Sequence, residues 1–350
     1  MAVAARTGPA TIYAVAESAG VSIATVSRVL QGNDRVAPST RDRVLAAARD
    51  LDYLPRGSAR ALAANKHEAI GLMLPELTGP YFTELLVGFE TAAAELDLSV
   101  ALLMTDEPGL SRRLRQLAAR VDGLAVMARP GQLTEPDLAL LARRLPLVRL
   151  ASGGEGIGTE NRASARQLTE HLFGHGRTRL EFVGDPGLAP DAAGRHAGFV
   201  AAHRSAGRTA APPVPVGFAE SDGRSYARQL LARPVLPDGL VCVNDEVAVA
   251  VLDELQRAGV GIGSDVAITG WDDVMTARYT RPGLTTVAQP VAELGRLAAT
   301  TLNELAGRGG ACAPVVLPTR IVIRGSCGCP EPHPERTPRP RASVDEGEPR

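Results

Sequence analysis

The sequence is poor in aromatic residues (3%), has four cysteines and one tryptophan in 350 residues, and carries a single lysine, Lys66, among 38 basic side chains. Each scarcity excludes something. Four cysteines (Cys242, Cys312, Cys327, Cys329) in so long a chain do not make a disulfide framework, so a reducing cytoplasm is expected. The one close pair, Cys327-x-Cys329, has no second pair or adjoining histidine cluster in sequence, so these cysteines read as bland and no metal or cofactor is expected. Apolar stretches such as Val247 to Leu252 and Val121 to Met127 fall far short of the roughly 18 residues that a bilayer crossing needs. No charged-then-apolar leader is seen, and membrane and secreted classes are set aside. What is present is 45% hydrophobic and 22% charged, enough for two or three packed cores and too apolar for wholesale disorder.

The net charge of −1 conceals an asymmetry. Residues 1–66 carry nine basic side chains against five acidic ones, +4, leaving −5 for the remainder. A short basic module on an acidic body fits a phosphate-seeking head on a ligand-handling domain, although charge of this size is also ordinary surface variation.

Helix punctuation is clear near the N-terminus. Thr11 precedes an amphipathic run, Ile12 to Ala19, where its hydroxyl can cap an orphan N–H and Ile12, Val15, Ala16 and Ala19 share a face. Gly20 stops that helix. Ser22 caps a second, Ile23 to Leu30, whose helical period turns Val26, Val29 and Leu30 inward and Ala24, Ser27 and Arg28 outward. Asn33-Asp34-Arg35 reads as a loop, and Pro38 opens a third helix through Asp50 with Val44, Leu45 and Ala48 at core spacing. Its cap position, Ala37, is apolar and costs about 1 kcal/mol relative to serine. Two short helices around Gly20-Val21-Ser22 make a helix-turn-helix, which presents the start of its second helix to the major groove.

Residues 11–64, from Thr11-Ile12-Tyr13-Ala14-Val15-Ala16 through Val21-Ser22-Ile23-Ala24-Thr25-Val26-Ser27-Arg28-Val29-Leu30 to Arg60-Ala61-Leu62-Ala63-Ala64, closely resemble the DNA-binding head of the lactose/galactose repressor (LacI/GalR) family. The resemblance implies that Ile23 and Ala24 discriminate bases, that Arg28 contacts a further base, and that Thr11, Ser22, Thr25, Ser27, Gln31 and Arg35 grip phosphates or lie beside them. Ile23 and Ala24 have no hydrogen-bonding side-chain groups, so they touch thymine methyls or exclude wrong edges. Arg28 can make a bidentate contact to guanine worth about 1–3 kcal/mol. For Thr11 and Ser22 pure capping is the competing reading. The alanine-rich segment Arg56 to Ala64 is a marginal helix in isolation. In the resembled family it is a hinge helix that folds in pairs on the operator; Ala59-Arg60-Ala61-Leu62 matches its motif, with Leu62 as the minor-groove wedge. Ser58 departs from the apolar residue frequent there.

Beyond the head, β-rich apolar runs alternate with helical patterns: Ile70 to Leu74, Val100 to Met104, Leu124 to Met127, Leu147 to Leu150, Leu180 to Val183, Leu240 to Val243 and Val266 to Thr269. Alternating β and α implies parallel, doubly wound sheets. The resemblance continues through Pro80-Tyr81-Phe82, Asp191 to Phe199, Asn244-Asp245, Gly270-Trp271-Asp272-Asp273 and Arg324-Gly325-Ser326. It implies two lobes around a cleft, with late chain crossings near Ala288 and Leu317. The expected fold is thus α+β and multidomain: a three-helix helix-turn-helix head with a hinge helix, then a two-lobed α/β core like the periplasmic binding proteins. The boundaries are 1–57 for the head, 58–66 for the hinge and 67–329 for the core, with 330–350 a disordered tail. Lobe one takes about 67–163 plus 288–317, and lobe two about 164–287 plus 318–329.

Ligands of open α/β sheets bind at the carboxyl ends of strands, where Tyr81, Phe82, Arg195, Phe218, Asn244 and Asp272 fall. Arginine forks, carboxylates and amides beside aromatic faces suit a sugar or polyol effector. The bland alternatives are that Asp245 and Asp273 cap helices and that Tyr81 or Trp271 fill a lobe core. Val148-Arg149-Leu150-Ala151-Ser152 lacks the acidic residue that many sugar-responsive relatives carry after the fourth strand. Gly153 to Gly158 is only loosely a phosphate loop, and His171, His175, His196 and His203 lack metal spacing and read as solvent-facing or helix-end residues. The leading function is a homodimeric, effector-controlled repressor of transcription on double-stranded operator DNA. A solute-binding module shares the fold but has no use for the head, and an enzyme would need a nucleophile and base or a metal cluster, neither of which the sequence displays.

Overall fold

In the computed structural model, which describes residues 10–30, 35–53, 66–105, 108–150 and 156–330, contacts divide the chain into two compact units, Met1–His67 and Glu68–Arg350. Gln31, Asn33 and Asp34 of the expected loop, Ala59, Leu62, the expected hinge up to residue 65, residues 151–155 and the expected tail beyond 330 lie outside the described residues.

The first unit holds α1 (Ile12–Ala19), α2 (Ile23–Leu30) and α3 (Pro38–Asp50). Thr11 caps α1 by accepting from the Ala14 N–H at 3.3 Å, and Gly20 closes it at φ +64°, a left-handed turn that glycine adopts without steric cost. Ser22 Oγ accepts from the Thr25 N–H at 3.2 Å at the start of α2. No side chain caps α3 at Ala37. Val15, Ala16, Ala19, Val26, Val29, Val44, Ala47 and Ala48 form the core, with Leu30 and Leu45 half-buried at its edge.

In the second unit, β1 (Ala69–Leu74), β2 (Ser99–Met104), β3 (Leu124–Val126) and β4 (Leu147–Arg149) form a parallel sheet in the order β2-β1-β3-β4. The pleat sorts residues by parity. Ile70, Leu72 and Leu74 pack under α4 (Gly79–Glu95) and α12 (Val291–Arg308). Met73, Leu124 and Val126 pack under α5 (Leu110–Ala118) and α6 (Glu135–Ala142). Helices on both faces are why these strands read as unbroken apolar runs rather than alternating ones. Each buried leucine or phenylalanine contributes roughly 1.5–3 kcal/mol. Where α4 and α12 cross, a Cβ on Gly88 would lie 2.0 Å from the Ala292 carbonyl oxygen and one on Gly295 2.2 Å from that of Leu85, so the two backbones touch directly.

A parallel bridge from Leu150 to Ile157 leads on to β5 (Ile157–Thr159), which pairs with β10 (Val315–Leu317). The chain then enters the second lobe, where α7 (Arg162–Gly174) precedes β6 (Leu180–Val183), α8 (Pro190–Ser205), α9 (Glu220–Leu231), β7 (Gly239–Cys242), α10 (Asp245–Arg257), β8 (Ala267–Thr269) and α11 (Met275–Tyr279). The strands β6-β7-β8 are parallel, and a bridge from Thr269 to Thr285 continues the sheet toward β9 (Thr286–Ala288). After β9 the chain crosses to place α12 and β10 in the first lobe, then returns as β11 (Arg320–Val322), antiparallel to β9. That pair departs from the wholly parallel expectation because β11 enters from the neighbouring lobe rather than through a helical crossover of its own. His203 takes the helix-end place its sequence reading allowed, in the last turn of α8, but it does not face solvent: it is 3% exposed, with Nδ1 2.9 Å from the Phe199 carbonyl oxygen, because the end of α8 packs on Phe173 of α7.

Candidate functional site

Two surfaces carry the candidate chemistry. On the first unit, Ser22, Ile23, Ala24 and Arg28 are exposed at or on α2, while Thr25 and Ser27 are half-buried. Ser22 Oγ lies 2.9 Å from Thr25 Oγ1, so one of the two hydroxyls donates its proton to the other and the pair keeps one O–H to donate to a phosphate oxygen. Ile23 is 40% exposed and Tyr13, on the outward side of α1, 68%; an apolar side chain that gains nothing from burial here is available to a partner. Tyr13 was not among the sequence candidates, although its place opposite Val15 and Ala16 in an amphipathic helix was a usable signal. Thr11 and Arg35 are also exposed.

The second surface is a cleft of about 860 Å³, open solvent included, between the strand ends of the two lobes. All six effector candidates line it: Tyr81 and Phe82 from the first turn of α4, Arg195 from α8, Phe218 ahead of α9, Asn244 at the cap of α10, and Asp272 after β8. The parallel β-α succession brings them together, since every loop leaving a strand's carboxyl end opens on this side.

Arg195 is fixed by two donations, from Nε to Asn161 Oδ1 at 2.9 Å and from Nη1 to the Val243 carbonyl at 2.6 Å, and its guanidinium carbon stands 4.6 Å from the Trp271 ring centroid. That leaves Nη2 as its uncommitted donor. Trp271 itself is buried with Ala165, Leu168 and Val287 and acts as a floor beneath Arg195 rather than as a cleft wall. Asn244 is committed: its Oδ1 accepts from the Val247 N–H at 3.1 Å and its Nδ2 donates to the Phe218 carbonyl at 2.9 Å. It is therefore the cap of α10, and Asp245, fully buried, instead accepts from Thr286 Oγ1 at 2.6 Å and the Val274 N–H at 2.9 Å. Asp273 likewise caps nothing and pairs with Arg324.

Asp272 is strained and electrostatically exposed to change. Its φ of +115° is costly for a residue with a Cβ and is held by its own N–H donating to the Val287 carbonyl at 2.8 Å. Gln289 Nε2 donates to its Oδ1 at 2.5 Å, while Gln289 Oε1 accepts from Thr159 Oγ1 at 2.5 Å. Thr159 sits on β5 of the first lobe and Gln289 in the crossing after β9, so a hydrogen-bonded relay joins the cleft carboxylate to the connection between the lobes. Burial pushes the Asp272 carboxyl up to about 6, against the opposing pull of Arg195 and the Gln289 hydrogen bond, with Asp191 and Glu84 adding to the rise.

The sequence reading passed over Glu76, Arg129, Asp191 and Glu246, which also line the cleft. Arg129 Nη2 pairs with Glu76 Oε1 at 2.6 Å. Asp191, one helical turn before Arg195, is raised by burial, with Arg195 and Asn161 opposing. Glu246 is pushed up to about 7 by burial and then by Asp272, Glu76 and Glu220; its Oε1 occupies the space a Cβ on Gly79 would fill, at the N-terminus of α4 across the cleft. Burial, followed by Asp191 and Asp272, holds the Tyr81 hydroxyl protonated, a donor. With Arg129 matched by Glu76, Arg195 acts on Asp191 and Asp272 while Glu246 has no cation among the described residues opposing its rise: the cleft has an excess of acceptors and of negative charge.

A third grouping lies away from the cleft. His171, His175, Cys327 and Cys329 have their ligating atoms within 4.8 Å of one another, a juxtaposition invisible to sequence spacing.

Residues 11–56 match the model of the bacterial regulatory proteins, lacI family, and residues 169–327 that of a periplasmic binding protein-like domain. The chain is 33% identical over 307 residues to the HTH-type transcriptional repressor PurR of Photobacterium profundum, covering 84% of this chain and 91% of the relative. It is 32% identical to the ribose operon repressor of Escherichia coli strain K12, covering 83% and 91%. A solved lac repressor dimer bound to operator and the anti-inducer ONPF superimposes with a TM-score of 0.82 at 25% identity, over 91% of this chain and 99% of that one.

Proposed function

The chain belongs to the lacI family of bacterial regulatory proteins, a family of transcriptional repressors rather than enzymes, and on that premise we propose that it represses transcription from a near-palindromic operator as a homodimer, under the control of a small effector in its cleft. It works at the nucleoid. The head, 1–57, reads DNA, with Arg28 fixing one base pair per half-site and Ile23 and Ala24 selecting by shape and methyl contact. Thr11, Ser22, Thr25, Ser27, Gln31 and Arg35 supply phosphate contacts that set register. Residues 58–66, with Ala59 and Leu62, act as the hinge between head and core.

The observation that carries this reading is the presence in one chain of an exposed recognition face on α2 and of a cleft in which hydrogen bonds from the protein itself hold Arg195 and Asp272 beside Tyr81. Preorganised donors and acceptors lower the entropic cost of binding. The surplus of carboxylates selects a neutral, hydroxyl-rich effector over a phosphorylated one, because an anion would meet Asp191, Asp272 and Glu246 with only Arg195 unmatched. Ring faces of Phe82 and Phe218 suit a sugar. An effector that engages Asp272 also loads the Gln289–Thr159 relay, which biases the lobe arrangement; release or promotion of DNA binding is then one linkage with opposite signs.

The test is selection of genomic fragments on purified protein with and without a panel of neutral sugars and their phosphates. Recovery of a palindrome with a flexible pyrimidine–purine centre, and a change of retention with a neutral sugar alone, is expected. No enriched motif under any condition would refute the reading.

A further inference from the structure

We propose that His171, His175, Cys327 and Cys329 form a four-ligand site for a thiophilic divalent cation, zinc by preference, which ties the end of α7 to the last turn of the second lobe. The chain has only four cysteines and six histidines, and two of each converge at one point. The geometry is that of a coordination shell. His171 Nε2 stands 3.3 Å from Cys327 Sγ and 3.7 Å from Cys329 Sγ, and His175 Nε2 stands 3.1 Å from Cys329 Sγ. A tetrahedral zinc with ordinary Zn–N and Zn–S bonds separates nitrogen and sulfur by roughly 3.6 Å, so these three separations need change by about half an ångström or less, while the widest separation among the four atoms, up to 4.8 Å, must close by about 1 Å to enclose an ion.

Local structure explains the convergence. His171 and His175 are one helical turn apart, at the end of α7 and its cap, and project from the same side, with ring centroids 4.7 Å apart. Opposite them a 3-10 turn, Gly325–Cys327, is pinned by Ser326 Oγ, which donates to the Ile268 carbonyl at 2.5 Å and accepts from the Thr285 N–H at 2.8 Å. Gly328 follows at φ +101° and turns Cys329 back beside Cys327. Two sulfurs on a turn so anchored face two imidazoles on a rigid helix, which is the preorganisation a metal site requires.

Four protein ligands leave no open position, so the ion is structural; none of the four lines the cleft. Because β11 and the turn at 325–327 close the lobe after the chain's return crossing, the ion fastens the final strand to α7.

The full-length protein, stripped with a chelator and kept reduced, is titrated with cobalt(II) and then zinc(II). Expected are saturation at one ion per chain, the visible bands of tetrahedral cobalt with thiolate-to-cobalt charge transfer in the near ultraviolet, and their loss on adding zinc. Cys329→Ser and His175→Ala, both at the outer edge, should keep a cooperative melt and lose cobalt affinity by more than about 10-fold, since even outer-shell partners of a metal cost that much. Absence of the charge-transfer band, or a band unchanged in both variants, would overturn the assignment, as would thiol titration finding a Cys327–Cys329 disulfide in the reduced preparation. Operator selection is read separately, so failure here leaves the repressor reading standing.

Discussion

Replacing Asp272 by asparagine should push stability and effector binding in opposite directions. A carboxyl moved from an ordinary 3.8 to about 6 corresponds to roughly 3 kcal/mol against the charged form in the folded protein at pH 7, a ceiling that solvent in the open cleft reduces to about 1–2 kcal/mol. The folded state holds this proton more tightly than the unfolded chain does. The contribution is therefore fully favourable below pH 3.8 and is lost as pH rises through about 6. The amide that replaces the carboxylate keeps an oxygen to accept from Gln289 Nε2 and carries no charge. Ligand-free Asp272→Asn should thus be the more stable protein at neutral pH by about 1–2 kcal/mol, and its advantage should shrink on acidification toward pH ~5. The same change removes a charge-assisted acceptor worth about 1.5–3 kcal/mol, so affinity for a hydroxyl-bearing effector should fall about 10- to 100-fold. Urea titrations at several pH values, with calorimetric binding of whichever effector the selection identifies, measure both. A variant that is less stable at neutral pH, with a gap that does not narrow in acid, would refute the electrostatic reasoning.

Gly88→Ala puts a Cβ 2.0 Å from a backbone carbonyl of α12, which no rotamer can relieve, so urea unfolding should show a loss of about 1–3 kcal/mol. Arg28→Ala should relax selection at one base pair per half-site by about 1–3 kcal/mol, and an unchanged motif in repeated selection would contradict its role. Gln289→Leu severs both ends of the relay; effector affinity should weaken several-fold, and the shift in operator affinity that effector causes should shrink more than effector binding does. Equal loss of both would mean the relay only shapes the cleft. Glu246→Gln should flatten the dependence of stability on pH near 7, where the half-buried carboxyl titrates.

Much of the molecule was legible in one dimension because the forces concerned are local. Capping by Thr11 and Ser22, the stop at Gly20 and the 3.6-residue recurrence of Val15, Ala19, Val26 and Val29 act within a few residues of one another, and the first unit follows from them. The strands were readable because burial on both faces writes itself as continuous apolar runs. The cleft candidates were placed through family resemblance and strand ends, but the acidic surplus was not, since Glu76 of one lobe and Asp272 of the other bear on Glu246 together only in the folded chain.

What composition and periodicity determined by themselves is the kind of protein this is: a helix-turn-helix head followed by doubly wound layers, with short-range patterns strong enough to specify each element. Tertiary structure alone decided which distant residues share a task. Asn244 rather than Asp245 caps α10, because Asp245 is drawn inward by Thr286, 41 positions later. Gln289 reaches Thr159 over 130 positions and Cys327 reaches His171 over 156, distances in sequence that no periodicity spans. Those meetings arise because the chain leaves and re-enters each lobe, and the loop-closure cost of such crossings is met by the packing of whole layers rather than by the residues that come to touch.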